Sequence, residues 1–352
     1  AFSTFLLIYY NQVLGLPGSL AGLAIMIALC FDAITDPLAG SLSDNLRSRW
    51  GRRHPFMYLS APPLGLFFYF LFVPPAGLGE TALFLWLTVF AVLTRGAMTL
   101  YHVPHLALGA ELTEDYAERT SIVSYRQVFG VLGSLTAVIL GFTVFFVDQD
   151  GVKGNLIAEA YPPFAATFAV VMVVTILWSA IGTHDQIPHL KQTAAGPTEA
   201  TGLAGVLAQV VGDLRAALRN VSFRWLFSGV IIVFVMVGVQ SALGLYMGNY
   251  FWNLTSDELR WIVLAAPVGI MLGAPFTRLI NRRFDKKPSV VLGTAWYAFF
   301  ALSPPTLRLL GWFPENGDPV LVPLLVAMTV VGGMGVVQAL VSAGSMMADI
   351  AD

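Results

Sequence analysis

Asp32 and Asp36 stand in the apolar run LAGLAIMIALCFDAITDPLAGSLSD, residues 20–44. Four residues apart, they share one face of a helix. An ionised carboxylate at the centre of a bilayer helix costs about 2.5–3.5 kcal/mol on insertion scales, so the pair costs roughly twice that. A membrane helix keeps such charges where they face a bundle interior and have a task there. Pro37 removes an amide hydrogen and frees the carbonyl of Ala33. Two carboxylates, the Thr35 hydroxyl and a freed carbonyl are oxygen ligands suited to a hard cation or a proton. The blander reading is that the two carboxylates neutralise a basic residue elsewhere and only hold the bundle together. We favour the cation site.

A second polar face lies on a later apolar run. Arg95, Thr99 and His102 are spaced four and three apart and line one side of a helix. At about 1.5 Å per residue, Asp32 and Arg95 both fall near the centres of their spans, with Asp36 and Thr99 about a turn nearer the cytoplasm. If the two helices are neighbours, Arg95 pairs with Asp32. A fixed charge then takes part of the cation's role, and the coupling ion is a proton or is absent. The competing reading gives Arg95 an anionic group of the substrate. His102, two residues before Pro104, is a candidate for substrate or proton contact; a lone buried histidine is more often a packing residue. With His105 it has helical spacing for a metal pair, but no third ligand is suitably placed, so no metal is expected beyond Na⁺ at Asp32 and Asp36. Arg126 enters the fifth span from the cytoplasmic side; it either snorkels to the interface or hydrogen-bonds substrate. Tyr9, Tyr10, Asn11 and Gln12 near one outer end, and Tyr246, Asn249, Tyr250 and Trp252 near another, read mainly as interfacial aromatics, with an outer gate as the lesser reading. Tyr9 is carried as a substrate candidate.

The elements that position these residues are membrane helices. The chain has 352 residues, 57% hydrophobic and 11% charged, with a mean hydropathy of +0.73; a soluble domain has about 25% charged residues. Apolar runs lie near 1–14, 20–44, 56–76, 82–108, 121–147, 163–182, 223–247, 258–281, 289–311 and 320–347. That makes about ten helices of spanning type, the first one short, as expected of a chain that starts inside its first helix. Lysine and arginine set the orientation. One set of loops carries Arg47, Arg49, Arg52 and Arg53, then Arg119, then Lys191, Arg215 and Arg219, then Arg282, Arg283, Lys286 and Lys287. The alternate loops hold only Lys153. The basic set is cytoplasmic. Net charge is −2, which points to no nucleic-acid partner.

Residues 183–222 are the one long hydrophilic stretch, with Leu203, Val206, Leu207, Val210, Val211, Leu214 and Leu218 at helical spacing, read as a cytoplasmic helix on the membrane surface. They separate a six-helix bundle, 1–182, from a second bundle, 223–352, that stops after about four spans. GSLSDNLRSRWGRRHP in the first half is echoed by GAPFTRLINRRFDKKP in the second. Two related halves suggest a twelve-helix transporter of two pseudo-symmetric bundles, with about ten helices present here.

The motifs GSLSDNLRSRWGRR, FDAITDP, SRWGRRHPF, YHVPHLALGAELTEDYAERTSIVSYR, YFW at 250–252 and the terminal ADIAD occur in an order that resembles the glycoside–pentoside–hexuronide:cation symporter family of the major facilitator superfamily. The resemblance runs through nearly the whole chain. It implies an all-α major facilitator fold, and a cation site at Asp32, Thr35, Asp36 and Thr99, with Thr35 standing where an asparagine occurs in the sugar carriers. Those carriers have glycine where Arg95 stands, aspartate where His102 stands and a stacking tryptophan where Leu106 stands; their sugar-contacting arginine falls beside Arg126. His-Val-Pro at 102–104 is closer to the lysophospholipid branch. Asp44 with Arg52 and Arg53 is implied to be a cytoplasmic charge latch, with Glu111, Asp115, Glu118 and Arg119 in the same network.

The sequence therefore reads as a secondary active transporter of a monomeric, multi-pass cell-membrane type. It couples a sugar- or glycoside-type solute to Na⁺ or H⁺, without a cofactor, and works by alternating access. The alternatives are a cation-coupled carrier of a lysophospholipid or other amphiphile, and a non-transporting receptor on the same fold. An enzyme is not expected, since no nucleophile–base arrangement, metal set or nucleotide loop is visible.

Overall fold

The apolar runs are helices in the computed structural model, which describes residues 2–113, 115–190 and 215–351, together with 205, 208 and 212. In chain order they are α1 (Phe2–Ile8), α2 (Gly18–Asn45), α3 (His54–Phe72), α4 (Glu80–Glu111), α5 (Tyr116–Leu140), α6 (Tyr161–Gly182), α7 (Val221–Tyr246), α8 (Ser256–Arg283), α9 (Lys286–Leu309) and α10 (Leu321–Ala351). Among the described residues, nine of these, α2 to α10, are long and apolar enough to cross a membrane. The start of α5 moves to Tyr116 because a cap is built there. The Asp115 carboxylate accepts from the Glu118 amide at 2.9 Å, and the Thr113 hydroxyl accepts from the Asp115 amide at 3.1 Å. Asp115, Glu118 and Arg119 thus bond around Thr113; among the described residues no ion pair links them to Arg52, Arg53 or Asp44. Most of the amphipathic surface helix, Leu203 to Leu214, lies outside the described residues; before it, a 3₁₀ segment runs over His184–His189.

The two outer clusters share a backbone motif. α1 continues into a π-helical turn over Tyr9–Val13, and α7 into one over Met247–Phe251. In the first, the Leu14 amide donates to the Tyr9 carbonyl and Leu16 to Tyr10; in the second, Trp252 donates to Met247 and Leu254 to Gly248. The residue before each closing leucine has positive φ, +77° at Gly15 and +50° at Asn253. Asparagine is one of the few side-chain-bearing residues that tolerates this region. The same five- and six-residue closures, six spans apart, extend the internal repeat beyond the basic loops.

Contacts divide the chain into two compact units. One comprises Tyr9–Leu132 and Ile157–Asp213. Within it α3 packs on α4 and α6, and α2 packs on α4. Small residues make this close: Ala21, Ala24 and Ala28 of α2 are wholly buried, and a methyl group at Gly65 of α3 would lie 2.6 Å from Val173 of α6.

The other unit comprises Ala1–Ile8, Gly133–Leu156 and Leu214–Asp352. Here α8 and α9 both pack on α10 through glycines. A Cβ at Gly269 would sit 2.2 Å from the Val330 carbonyl oxygen, and one at Gly333 would sit 2.9 Å from that of Ala266. Small residues let helix backbones approach where lipid supplies no hydrophobic drive. Gly269→Ala must push α8 off α10 and is expected to cost about 1–3 kcal/mol, whereas Gly238→Ala on α7, with open space around it, should be neutral. Thermal melting followed by tryptophan fluorescence in detergent checks both. Gly130 and Gly133 on α5 have nothing within 4 Å among the described residues.

Candidate functional site

α2 and α4 run in the same direction, side by side, with a constant offset of 63 positions. Asp32 meets Arg95, whose Nε and Nη2 both donate to Oδ2 of the carboxylate. One turn further in, Oδ1 of Asp36 accepts from the Thr99 hydroxyl at 2.7 Å. Two i,i+4 pairs, one on each helix, are thereby zipped together. Side-chain exposure is 16% for Asp32 and 27% for Arg95. Asp32 Oδ1 is buried without a hydrogen bond among the described residues. Thr35 turns its hydroxyl to its own helix and donates to the Phe31 carbonyl at 3.1 Å.

The guanidinium of Arg95 is thus held by Asp32 in this structure. Tyr9 is corrected as a substrate candidate. It is 4% exposed, stacks on Tyr161 with centroids 4.0 Å apart, and donates its hydroxyl to the Phe72 carbonyl at 2.9 Å. Its neighbour Tyr10 donates to Leu71 at 2.7 Å. Both phenols fasten the α1 turn to the outer end of α3, where the chain leaves the helix and its last carbonyls need donors. His102 is exposed on α4, and Arg126 is half-buried on α5. Among the described residues, no ion pair joins Arg126 to either α2 carboxylate.

A charge network closes the inner end of the same unit. Arg53 is 5% exposed and reaches Asp44 at 2.5 Å and Glu111 at 2.9 Å, while Arg52 reaches Glu111 at 2.8 Å. Arg53 also donates to the Ser43 hydroxyl at 2.5 Å. The end of α2, the start of α3 and the end of α4 are tied by one guanidinium. α4 extends past its apolar run to Glu111 to reach it.

A second polar cluster, in the other unit, was not found from the sequence. Lys153 donates to the backbone carbonyl of Asn249 and to Asn253 Oδ1, the latter at 3.1 Å. Asp148 accepts from the Gly154 amide at 2.8 Å and from the Ser256 amide at 3.1 Å. The loop between α5 and α6 is thereby clasped to the α7 turn and to the start of α8. Gly154 fits because it has no side chain: a Cβ there would overlap the Phe146 carbonyl carbon at 2.1 Å. The available signal was Lys153 as the lone basic residue of the outer loops. Partial burial holds its ammonium below the ordinary 10.5, against the pull of Asp148 and Glu258. The unfolded chain then binds more protons in that alkaline window, so this contribution to stability rises with pH up to the ordinary value and is flat below the lowered one. Asp148→Ala removes two charge-assisted bonds and is expected to cost about 1–3 kcal/mol, and to speed proteolysis of the 148–156 loop.

Comparison with known proteins places the chain. A family model described as MFS/sugar transport protein matches residues 1–352, and the chain belongs to that family. Over 217 residues, 58% of this chain and 39% of the relative, it is 30% identical to an uncharacterized symporter of Synechocystis sp.. The sodium-dependent lysophosphatidylcholine symporter 1-B of Danio rerio is 26% identical over 100% of this chain and 68% of its own length. A crystal structure of a D-xylose-proton symporter covers 97% of this chain, and 77% of it is covered in turn, with a TM-score of 0.55 at 14% identity. That likeness shows the fold, which is the major facilitator fold. The chain is a multi-pass membrane protein of a transport family, and it spans about two fifths of the first relative's length.

Proposed function

We propose that this chain belongs to a secondary active transporter, built from two related helical bundles, that carries a sugar- or glycoside-type solute together with a monovalent cation. The observation that carries this reading is the pairing of two intramembrane carboxylates on α2 with Arg95 and Thr99 on α4. Charges that cost several kcal/mol to bury persist where their neutralisation does work. A cation arriving at Asp36 and Thr99 removes a charge from the bilayer interior in whichever state closes over it. Its differential binding therefore shifts the equilibrium between outward and inward states, and by linkage raises the affinity for solute. Exposed His102 and half-buried Arg126 supply hydrogen-bond donors for solute hydroxyls or acidic groups. Asp44, Arg52, Arg53 and Glu111 serve as the inner latch. The family's description as sugar transport supports the solute class. The name of the fish relative, together with Leu106 in place of a stacking aromatic, supports a second reading in which the solute is a lysophospholipid.

The test is uptake into proteoliposomes. Labelled pentosides, hexuronides and lysophosphatidylcholine are offered under an imposed sodium gradient, an imposed proton gradient or neither. Accumulation of a glycoside that needs a cation gradient and is lost in Asp36→Asn is the expected result. Gradient-driven uptake of the lysolipid alone would select the second reading, and no uptake under any gradient would remove both.

A further inference from the structure

His54 opens α3 and is wholly buried. Its Nε2 lies 3.0 Å from the Thr183 hydroxyl. That hydroxyl gives its own proton to the Ser179 carbonyl at 2.9 Å, so the ring is the donor to Thr183 and Nε2 carries the hydrogen. Nδ1 then holds only a lone pair, and it is buried without a hydrogen bond among the described residues. A proton added there would be a buried donor with nothing to bond, at the positive end of a helix dipole. The charged or titratable groups around the ring are Tyr58 on its own helix, Arg52 and Arg53 just before it, Glu111 of α4, which those arginines hold, and His184 and Asp185 beyond α6. Among the described residues no carboxylate pairs with His54. His184, its ring 5.8 Å away, is placed differently. The Tyr58 hydroxyl donates to the Ala180 carbonyl at 3.2 Å and so accepts from His184 Nδ1, also at 3.2 Å. A proton added at the other nitrogen of this exposed ring leaves that bond standing. What the His54 seat holds is a strap, residues 183–190. Ile187 of the strap lies against the 46–53 loop, where a methyl group on Gly51 would be 3.3 Å from it. Leu190 packs on Met57, Leu108 and Ala180. The strap thus lies against the loop whose Arg52 and Arg53 tie the inner ends of α2, α3 and α4, all within one compact unit.

We propose that His54 is a proton-operated clasp: neutral, it holds the 183–190 strap against the loop of Arg52 and Arg53, and protonated, when the side carrying the basic loops turns acid, it lets the strap go. The docked strap binds fewer protons than the free one. Docking is therefore complete above the ordinary imidazole value of about 6.5 and is lost as pH falls below it. Release uncovers the loop on which the inner charge network depends. The clasp goes beyond the transport reading and does not need it.

The experiment reads the mobility of a spin label on the strap, at Gln186→Cys in a Cys30→Ser background, on the intact purified protein in detergent. Spectra are taken from about pH 7.5 down to about pH 5, either side of the ordinary imidazole value. An ordered spectrum that gains a mobile component on acidification, and loses it when the pH is restored, is the expected result. His54→Gln keeps a donor for Thr183 but takes no proton, so its label should stay ordered throughout. His184→Gln should keep the response. A native label that does not change with pH, or a response that survives in folded His54→Gln, would overturn the proposal. Should His54→Gln not fold, Thr183→Val decides: with the acceptor gone the label should be mobile at every pH, and an ordered spectrum would count against the clasp. Absence of solute movement under any gradient would remove the transport reading and leave this result standing.

Discussion

Asp32→Asn is expected to destabilise the protein by about 3 kcal/mol, near the lower end for stripping one partner from a buried ion pair because both groups keep some exposure. The loss comes from Arg95, left charged in the membrane with a neutral amide in place of its carboxylate. Adding Arg95→Gln removes the stranded charge, so the double variant should recover most of the stability although it lacks both members of the pair. This is the pattern of a pair retained for function, since a neutral isostere is often as stable as the ion pair it replaces. Thermal melts of the two single variants and the double variant make a complete cycle. A double variant destabilised by the sum of the two single variants would mean that the pair does not couple.

Arg53→Met is expected to be the other costly change, again about 3 kcal/mol. One nearly buried guanidinium satisfies Asp44, Glu111 and Ser43 together. Without it Arg52 still pairs with Glu111, so the damage concentrates at the end of α2. Glu111→Gln should be milder, because Asp44 continues to hold Arg53. Melting temperatures rank the two, and protease cleavage in the 46–53 loop should rise more in Arg53→Met. Under the proposed transport function, a network tying the ends of three helices should slow turnover if stiffened and loosen inward closure if cut.

The α2–α4 contact was legible in the sequence because both helices carry polar side chains at the same four-residue spacing within apolar runs, and unpaired polarity in a membrane has few destinations. The Arg53–Asp44 contact was implied by the family resemblance, through a loop signature that holds both residues. Tyr9 was misplaced because a phenol near the end of a span suits an interface, a cavity or a core equally well, and only the carbonyl of Phe72, 63 residues away, decides among them. The Lys153–Asp148 clasp left no spacing to find, since its partners Asn249 and Ser256 lie about a hundred residues on. The shared turn of α1 and α7 was hidden for another reason. YYNQVLGL and MGNYFWNL share only an asparagine and a final leucine, while the likeness lies in backbone hydrogen bonds and in a left-handed residue that is glycine in one and asparagine in the other.

The Arg95–Asp32 pair also bears on how the protein feels the electrical potential of the cell. A charge carried across the full membrane field exchanges about 2.3 kcal/mol per 100 mV. A carrier that returned empty with two bare carboxylates would move two negative charges through whatever part of the field its site traverses; with Arg95 fixed to Asp32 it moves one. The voltage bias on the empty return is halved, and a cycle that binds one cation with a neutral solute crosses loaded with no net charge at this site. In the proposed transport cycle, voltage then acts on the reset of the carrier and leaves the loaded step nearly indifferent to it.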